Sequence, residues 1–304
     1  MYTIILEKSC GEAMEETYSR NNTTIKLSII ILTWNSEKYI EKCIDSIYNS
    51  VRDERDSIEI IIVDNGSSDA TPKLLKRIKM NDTNFKYILL NKNYGTTFSR
   101  NLAIKESKGD FILVLDSDTE IRGCSIEILL ETLNDENYTN VGIVGPRLLY
   151  PDDSVQYSCK KIPTIAIKIF KFIGNRYLKN IAERLELYDP KIYSLDFHEI
   201  IEVDYCISAC WLVRREALDE VGLFDGKIFY APEDIDLCVR MWLKGWKVVY
   251  NPNAIVIHYT QRLSRRNFRF TLLLAKGLFY YFRKYGYWFK REKLYKKFKN
   301  CSEK

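Results

Sequence analysis

Two aspartates that directly follow an uninterrupted apolar run carry the strongest chemical signal in the sequence. Residues 111–115 read Phe-Ile-Leu-Val-Leu, and Asp116 and Asp118 come after them. The run is typical of a strand that is buried on both faces of a parallel sheet. Because burying a carboxylate costs free energy, both aspartates are expected where the strand leaves the sheet, the edge at which open α/β sheets bind ligands. Two close carboxylates favour a divalent cation shared with substrate phosphates, although for an isolated pair a solvated turn with a helix cap is the better explanation.

The chain before this pair alternates predicted strands and helices. Strands are predicted over 27–32, 58–63 and 87–90, and the helices between them predict right-handed βαβ units in a parallel sheet. The second strand runs into Asp64, the first residue of an Asp-Asn-Gly-Ser-Ser-Asp turn. Asp64 and Asp116 are therefore expected at the same edge of the sheet.

A second acidic segment opens a helix that is predicted over 233–244. Glu233 and Asp234 lie in its first turn, where the helix dipole and the free N–H groups favour an ionised carboxylate. The pattern alone allows two interpretations of Asp234, a general base or an ordinary helix cap. His258 ends a later predicted strand and is one of two histidines in the chain, so it is either a site residue or a histidine of the core.

The composition is that of a globular protein of 304 residues with a net charge of +5, and the positive excess lies near the C-terminus. The eight cysteines form no C-x-x-C pair, which favours free thiols in a reducing compartment over a zinc site. Residues 1–24 contain no signal-peptide core, and no stretch is long and apolar enough to be an uncharged membrane span. These features predict a cytoplasmic protein.

Five loop motifs, in this order along the chain, resemble the family 2 glycosyltransferases with the GT-A fold. They are Thr33-Trp34-Asn35-Ser36, Asp64 to Asp69, Asn93-x-Gly95 with Arg100, Asp116-x-Asp118 and Glu233-Asp234-Ile235-Asp236. The resemblance runs from about residue 26 to residue 258, and the five motifs together are far more specific than any one motif alone. The residues around Asp225, Arg240, Gly245 and His258 most resemble the rhamnosyltransferase-like branch. The implied fold is a mostly parallel Rossmann-like α/β sheet flanked by helices.

The resemblance implies an inverting glycosyltransferase that moves a sugar from a nucleotide-diphosphate donor to a glycan or lipid-linked acceptor. The donor-binding residues that it implies are Thr33, Glu37, Asp64, Asn93, Arg100 and Asp116. It also implies Mg²⁺ or Mn²⁺ on Asp118, with Asp116 and His258 as further ligands. Asp234 corresponds to the general base, with Glu233 beside it. An Asp64-type contact suits a uracil or thymine base.

The chemistry of sugar transfer agrees with these roles. Negative charge develops on the leaving diphosphate, so a cation held by Asp118 would act as a Lewis acid. The acceptor hydroxyl is a poor nucleophile at neutral pH, and a carboxylate within hydrogen-bond reach can take its proton. One base without a protein nucleophile implies a single displacement with inversion.

We predict a GT-A domain over 25–262, preceded by an N-terminal extension over 1–24. Residues 147–203 have no clear period and are predicted to be a variable insertion. Residues 263–304 form a basic aromatic tail of amphipathic helices, which either packs on the domain or lies on an anionic membrane surface. No nucleic-acid-binding module is expected.

Two other classes share some of these features. A haloacid-dehalogenase-type phosphatase also has Asp-x-Asp after a buried strand, but it requires Thr where this chain has Glu120. A nucleotide-sugar-binding protein without catalysis is the non-enzyme alternative. Slow, metal-dependent hydrolysis of nucleotide sugars would distinguish an enzyme from such a protein.

Overall fold

The computed structural model describes residues 27–51, 57–79, 85–260 and 268–302, so the predicted extension over 1–24 lies outside the described residues. The strands are β1 (Leu27–Thr33), β2 (Ile58–Asp64), β3 (Phe85–Leu89), β4 (Phe111–Asp116), β5 (Thr119–Arg122), β6 (Val141–Leu149), β7 (Val155–Gln156), β8 (Cys159–Lys160), β9 (Ile201–Glu202), β10 (Tyr205–Cys206), β11 (Cys210–Arg214) and β12 (Lys247–His258). The α-helices are α1 (Ile40–Ser50), α2 (Thr71–Lys79), α3 (Thr96–Glu106), α4 (Ser125–Asn134), α5 (Ile165–Ile173), α6 (Arg176–Glu186), α7 (Arg215–Val221), α8 (Glu233–Leu243), α9 (Phe268–Tyr285) and α10 (Glu292–Ser302).

The main sheet has the strand order β3-β2-β1-β4-β11-β6-β12-β5. Strands β3, β2, β1 and β4 are parallel, β11 is antiparallel to both of its neighbours, and β12 is parallel to β6. The register pairs Thr33 with Asp64 and Leu32 with Asp116, so the carboxyl ends of β1, β2 and β4 meet at one edge. The predicted α/β fold class and the shared edge are confirmed.

Apolar runs in the parallel strands reflect burial on both faces of the sheet. In β1, Ile30 packs into the core on one face, whereas Ile29 and Ile31 pack into the core on the other. Helix α1 covers the second face with its buried side chains at helical spacing, among them Ile40, Ile44 and Ile47. Because helices cover both faces, an apolar side chain is favoured at every position of the strand rather than at alternate ones.

Several predicted element boundaries were wrong. The strand predicted over 204–213 is two short strands, β10 and β11, and the strands predicted over 248–250 and 254–258 are one continuous strand, β12. Its pairing with β6 shifts register between Asn251 and Ile255, which lets the strand continue through Pro252. The segment 147–203, which shows no clear period in the sequence, contains short strands and the helices α5 and α6.

The C-terminal helices pack on the domain. Gly277 of α9 lies so close to the loop before α8 that a Cβ there would stand 1.9 Å from the Ala231 carbonyl oxygen. Lys284 Nζ donates to Asp225 Oδ2 and to Asp236 Oδ1, both at 2.7 Å. These contacts join the tail to the loop and helix that carry the second acidic segment. None of the described helices combines the length and apolarity that a bilayer crossing requires.

Candidate active site

A cleft of about 330 Å³ opens at the carboxyl edge of β1, β2 and β4. Its walls come from the ends of β1, β4 and β12, the loops after β2 and β3, the first turns of α3 and α8, and one residue of α9. Seven residues predicted from the sequence line it: Asn93, Arg100, Asp116, Asp118, Glu233, Asp234 and His258. The two acidic segments, distant in sequence, therefore face one cleft.

Asp116, Asp118 and His258 form a compact cluster on one wall. Their candidate ligand atoms lie within 4.8 Å of one another, and His258 Nε2 is 3.6 Å from Asp118 Oδ1. The cluster arises because β5 follows Asp118 at once and pairs antiparallel with β12, which sets His258 opposite Thr119. Two carboxylates and one imidazole are a donor set that suits a divalent cation.

Gln156 fixes the orientation of the His258 ring. Its amide nitrogen donates to the His258 carbonyl oxygen at 3.1 Å and to Thr260 Oγ1 at 2.9 Å, so its oxygen faces His258 Nδ1 at 2.9 Å. In this orientation Gln156 Oε1 accepts from Nδ1, and Nε2 faces Asp118, which is the arrangement found in histidines that bind metals. Gln156 belongs to β7 in the segment without a sequence period, so no local pattern indicates its role.

Arg100 joins the two walls of the cleft. Its guanidinium donates to Asp116 Oδ1 at 2.7 Å, to Glu233 Oε1 at 3.0 Å and to Ser208 Oγ at 2.8 Å. The Arg100 side chain is 3% exposed, so these charges interact with little screening by water. Arg100 holds the end of β4 and the start of α8 at a fixed separation.

Replacing Arg100 is expected to destabilise the fold strongly. Arg100→Met leaves Glu233 buried without its cation, and we expect the free energy of unfolding to fall by about 3–5 kcal/mol in urea denaturation. Arg77→Met is the matched control, because Arg77 forms an exposed ion pair with Glu41 and should contribute less than about 1 kcal/mol. Equal losses in the two variants would show that Arg100 does not organise the site.

Glu233 and Asp234 differ in their partners. Both line the cleft, but Glu233 is buried and holds Arg100, whereas Asp234 is half-buried. Helix α8 begins at Glu233 and has Pro232 at its N-cap position, so Asp234 lies in the first turn rather than at the cap. Burial raises the pKa of Asp234, although the hydrogen bond from the Ile235 amide and the charge of Arg100 lower it in part. Burial and the neighbouring Asp234 also raise the pKa of Glu233.

Three of the residues predicted to bind the nucleotide lie beside the cleft rather than on its lining. Thr33 is buried at the end of β1, and Glu37 is exposed and accepts a hydrogen bond from the Ala70 amide at 2.9 Å. Asp64 accepts hydrogen bonds from the amide and the hydroxyl of Ser67, and burial raises its pKa. The Glu37 contact joins the loops after β1 and β2, whereas the Asp64 contacts lie within the loop after β2.

Asn65, next to Asp64, reaches the cleft and was missed. Its side chain donates to Asn93 Oδ1 at 3.1 Å and accepts from the Tyr94 amide at 2.8 Å, while Asn93 Oδ1 also accepts from the Gly95 amide at 2.9 Å. These bonds shape the loop that leads into α3. The turn motif around Asp64 pointed to this loop but not to the residue of it that faces the cleft.

Aromatic side chains form the lip of the cleft. Phe270 of α9 packs against Trp34 and Tyr230, with ring centroids 5.5 and 5.2 Å apart, and all three line the cleft. The predicted tail thus contributes directly to the candidate site. Nothing in the local sequence around Phe270 signals this contact, because it depends on how α9 docks.

A mostly parallel sheet with an Asp-x-Asp pair after its central strand, facing a carboxylate across one cleft, is the arrangement of the GT-A glycosyltransferases. The family model Glycosyl transferase family 2 matches residues 28–222. The chain therefore belongs to glycosyl transferase family 2 and is a glycosyltransferase.

Curated relatives and solved structures agree with this assignment. The chain is 28% identical to an N-acetylglucosaminyl-diphospho-decaprenol L-rhamnosyltransferase of Mycobacterium tuberculosis, over 79% of this chain and 78% of the relative. It is 27% identical to rhamnosyltransferase WbbL of Escherichia coli, over 79% of this chain and 86% of WbbL. A mannosyltransferase of Pyrobaculum calidifontis, solved with GDP-Man and Mn²⁺, has a TM-score of 0.54 at 18% identity, over 79% of this chain and 59% of that one. The predicted family and its rhamnosyltransferase-like branch are confirmed.

Proposed function

We propose that this glycosyltransferase transfers a sugar from a nucleotide-diphosphate donor to a lipid-linked acceptor with inversion at the anomeric carbon. The observation that carries the proposal is the position of Asp234 across one cleft from Asp116, Asp118 and His258. The cleft of about 330 Å³ leaves room for a donor diphosphate near the cluster and an acceptor hydroxyl near Asp234. Direct attack by that hydroxyl on the sugar inverts its configuration.

Asp116, Asp118 and His258 fit the divalent cation that the family implies. Their two carboxylates and one oriented imidazole offer ligands that suit Mg²⁺ or Mn²⁺, and the Pyrobaculum mannosyltransferase solved with Mn²⁺ supports this assignment. When bound, the ion supplies a Lewis acid for the leaving diphosphate. Arg100 holds Asp116 in position for this role through its 2.7 Å ion pair.

Asp234 is the general base of the proposed reaction. Its half-buried carboxylate lines the cleft, while Glu233 is engaged by Arg100 and Ser208. A base whose pKa lies closer to neutrality takes a proton from a hydroxyl more effectively than an ordinary aspartate does. Burial of Asp234 therefore favours its role.

The pH dependence of transfer follows from this raised pKa. The base must be deprotonated, so kcat is expected to fall as the pH drops through the pKa of Asp234, and the acid limb should lie above the value of about 3.9 for an ordinary aspartate. The measurement is kcat against pH at saturating donor, acceptor and Mn²⁺. A rate that stays constant down to about pH 4 would contradict the assignment.

The donor and acceptor are proposed from the relatives and from chemistry. The rhamnosyltransferase relatives make a nucleotide-linked rhamnose the first donor to test, and the Mycobacterium relative makes a lipid diphosphate the first acceptor to test. The experiment is a transfer assay with a panel of uridine, thymidine and guanosine diphosphate sugars in Mn²⁺, with and without a chelator. Chelator-sensitive transfer supports the proposal, whereas tight donor binding without turnover would favour the binding-protein alternative.

We also propose that GT-A residues 25–262 and the tail 263–304 act together at the cytoplasmic face of a membrane. Exposed apolar side chains on the tail alternate with exposed basic ones, and both suit an anionic lipid surface. They are Phe268, Leu272, Phe279, Phe289, Arg269, Lys276 and Arg283. Residues 147–203 remain a proposed family-variable insertion.

Loss of the exposed tail phenylalanines is expected to weaken membrane binding. Phe279→Ser with Phe289→Ser removes two side chains that are 59% and 71% exposed, and we expect less co-sedimentation with phosphatidylglycerol vesicles. Leu89→Ser, on the edge strand β3, is the matched control and should bind as the unchanged protein does. Equal binding of all three proteins would exclude the tail as the contact.

A further inference from the structure

Three lysines surround one buried glutamate beside the candidate base. Lys168 and Lys171 of α5 both bind Glu186 at the end of α6, with Lys168 Nζ 3.1 Å from Glu186 Oε1. Glu186 is 1% exposed. Although burial raises its pKa, the charges of Lys168, Lys160 and Lys171 lower the pKa of Glu186 to about 2. One carboxylate thus neutralises one of three ammonium groups.

The third lysine, Lys160, connects this cluster to the start of α8. It lies on β8, which pairs with β10 so that Lys160 stands opposite Tyr205, and β10 contacts α8. The next residue, Lys161, donates its amide to the Glu186 carbonyl oxygen at 2.8 Å. Within the described ranges, no side chain forms a hydrogen bond or a close ion pair with the Lys160 ammonium group. With Glu186 and the nearby Asp234 as the carboxylates, the three lysines leave one positive charge uncompensated.

The positive charges of Lys168 and Lys160 act on Asp234. Burial raises the pKa of Asp234, and Lys168 and Lys160 oppose the rise. Burial lowers the pKa of Lys160, the charges of Lys171 and Lys168 lower it further, and Glu186 and Asp234 oppose them. A half-buried site with excess positive charge favours a bound anion.

Helix α5 presents different chemistry on its two sides. Lys168 and Lys171 point to Glu186, whereas Ile169, Phe172 and Ile173 are 45%, 80% and 57% exposed. The exposed residues are spaced as one stripe of the helix. The Asp234 carboxylate at the cleft is thus followed by the lysine ammonium groups, and these by the apolar stripe of α5.

We propose that Lys160 and Lys168 bind the phosphate group of the lipid-linked acceptor, with the apolar stripe of α5 toward its lipid. A lipid-linked glycan has the same order of groups as this surface: a reacting hydroxyl, one sugar ring, a phosphate and a hydrocarbon chain. The assignment rests on the proposed function, because it takes Asp234 as the group that receives the hydroxyl proton. It adds an anion site that is separate from the donor diphosphate on Asp118.

Inorganic pyrophosphate in EDTA probes the anion site without catalysis. All proteins carry Asp118→Ala, which removes the donor-side metal ligand, and binding is measured by calorimetry. We expect pyrophosphate to bind, and we expect Lys160→Met to weaken this binding about tenfold. Lys160→Arg should largely restore the affinity. Lys179→Gln, on the exposed part of α6, should leave it unchanged. Circular dichroism checks that each variant is folded. Absent binding, or equal binding by Lys160→Met, would overturn the site.

Two further measurements identify the ligand. With the otherwise unchanged protein, Lys160→Met is expected to raise the KM for a lipid-diphosphate acceptor about tenfold while the Kd of the donor in Mn²⁺ stays constant. A raised donor Kd would instead assign the lysines to the donor. Phosphatidylglycerol vesicles should not displace pyrophosphate, and displacement would assign the site to membrane headgroups. Because pyrophosphate binding needs no turnover, its loss is distinguishable from a failure of the proposed transfer reaction.

Discussion

Asp118→Ala is expected to reduce Mn²⁺-dependent sugar transfer by about a thousandfold while the protein stays folded. Asp118 lies in the turn between β4 and β5. Its backbone carbonyl oxygen, not its carboxylate, accepts a hydrogen bond from the Tyr259 amide at 2.9 Å. The substitution therefore keeps this link between the turn before β5 and the residue after β12. What it removes is the carboxylate 3.6 Å from His258 Nε2.

The measurement for Asp118→Ala combines transfer rates with Mn²⁺ binding followed by electron paramagnetic resonance. Weaker Mn²⁺ binding and a lower rate should occur together, since both depend on the same carboxylate. Asp153→Ala is the matched control, because Asp153 forms an exposed ion pair with Arg122 and should leave both quantities unchanged. Undiminished transfer by Asp118→Ala would reject the metal assignment.

Asp234→Asn is expected to lower kcat by about two to four orders of magnitude with little change in donor affinity. The amide keeps the size and the hydrogen bond of the side chain to the Ile235 amide, so α8 should retain its first turn. It cannot accept a proton from the acceptor hydroxyl. The effect should therefore appear in the rate of transfer rather than in binding.

The measurement for Asp234→Asn separates chemistry from binding. Single-turnover transfer gives the rate, and calorimetry with the donor in Mn²⁺ gives the affinity. Asp219→Asn, on the exposed side of α7, is the control for a neutral change. Loss of donor binding in Asp234→Asn, with an unchanged rate at saturation, would assign Asp234 a structural role.

The parallel half of the fold was predictable because its physical signals are local. Apolar runs such as 111–115 must be buried on both faces, and the polar residues that follow them must lie at the edge of the sheet. This reasoning put Asp64 and Asp116 at one edge, as the register confirms. Strand β5 was not predicted because the segment Thr119–Arg122 is only four residues long and partly polar. It forms a strand only through its pairing with β12.

Much of the site depends on contacts that no local pattern encodes. Gln156 reaches His258 from a two-residue strand, and Ser208 reaches Arg100 from the break between β10 and β11. Phe270 enters the lip of the cleft only because α9 docks against the loop before α8. In each case a tertiary contact between distant segments brings the side chain to the cleft, and a periodicity in sequence cannot report it.

The most direct test is a crystal structure of the protein with Mn²⁺ and a nucleoside diphosphate, using anomalous scattering to locate the manganese. We expect one anomalous peak, from a manganese ion that is coordinated by Asp118, His258 and Asp116. The diphosphate should bind the same ion, and Asp234 should face the open side of the cleft. Manganese bound away from Asp118, or a diphosphate on another face of the protein, would contradict the proposed site.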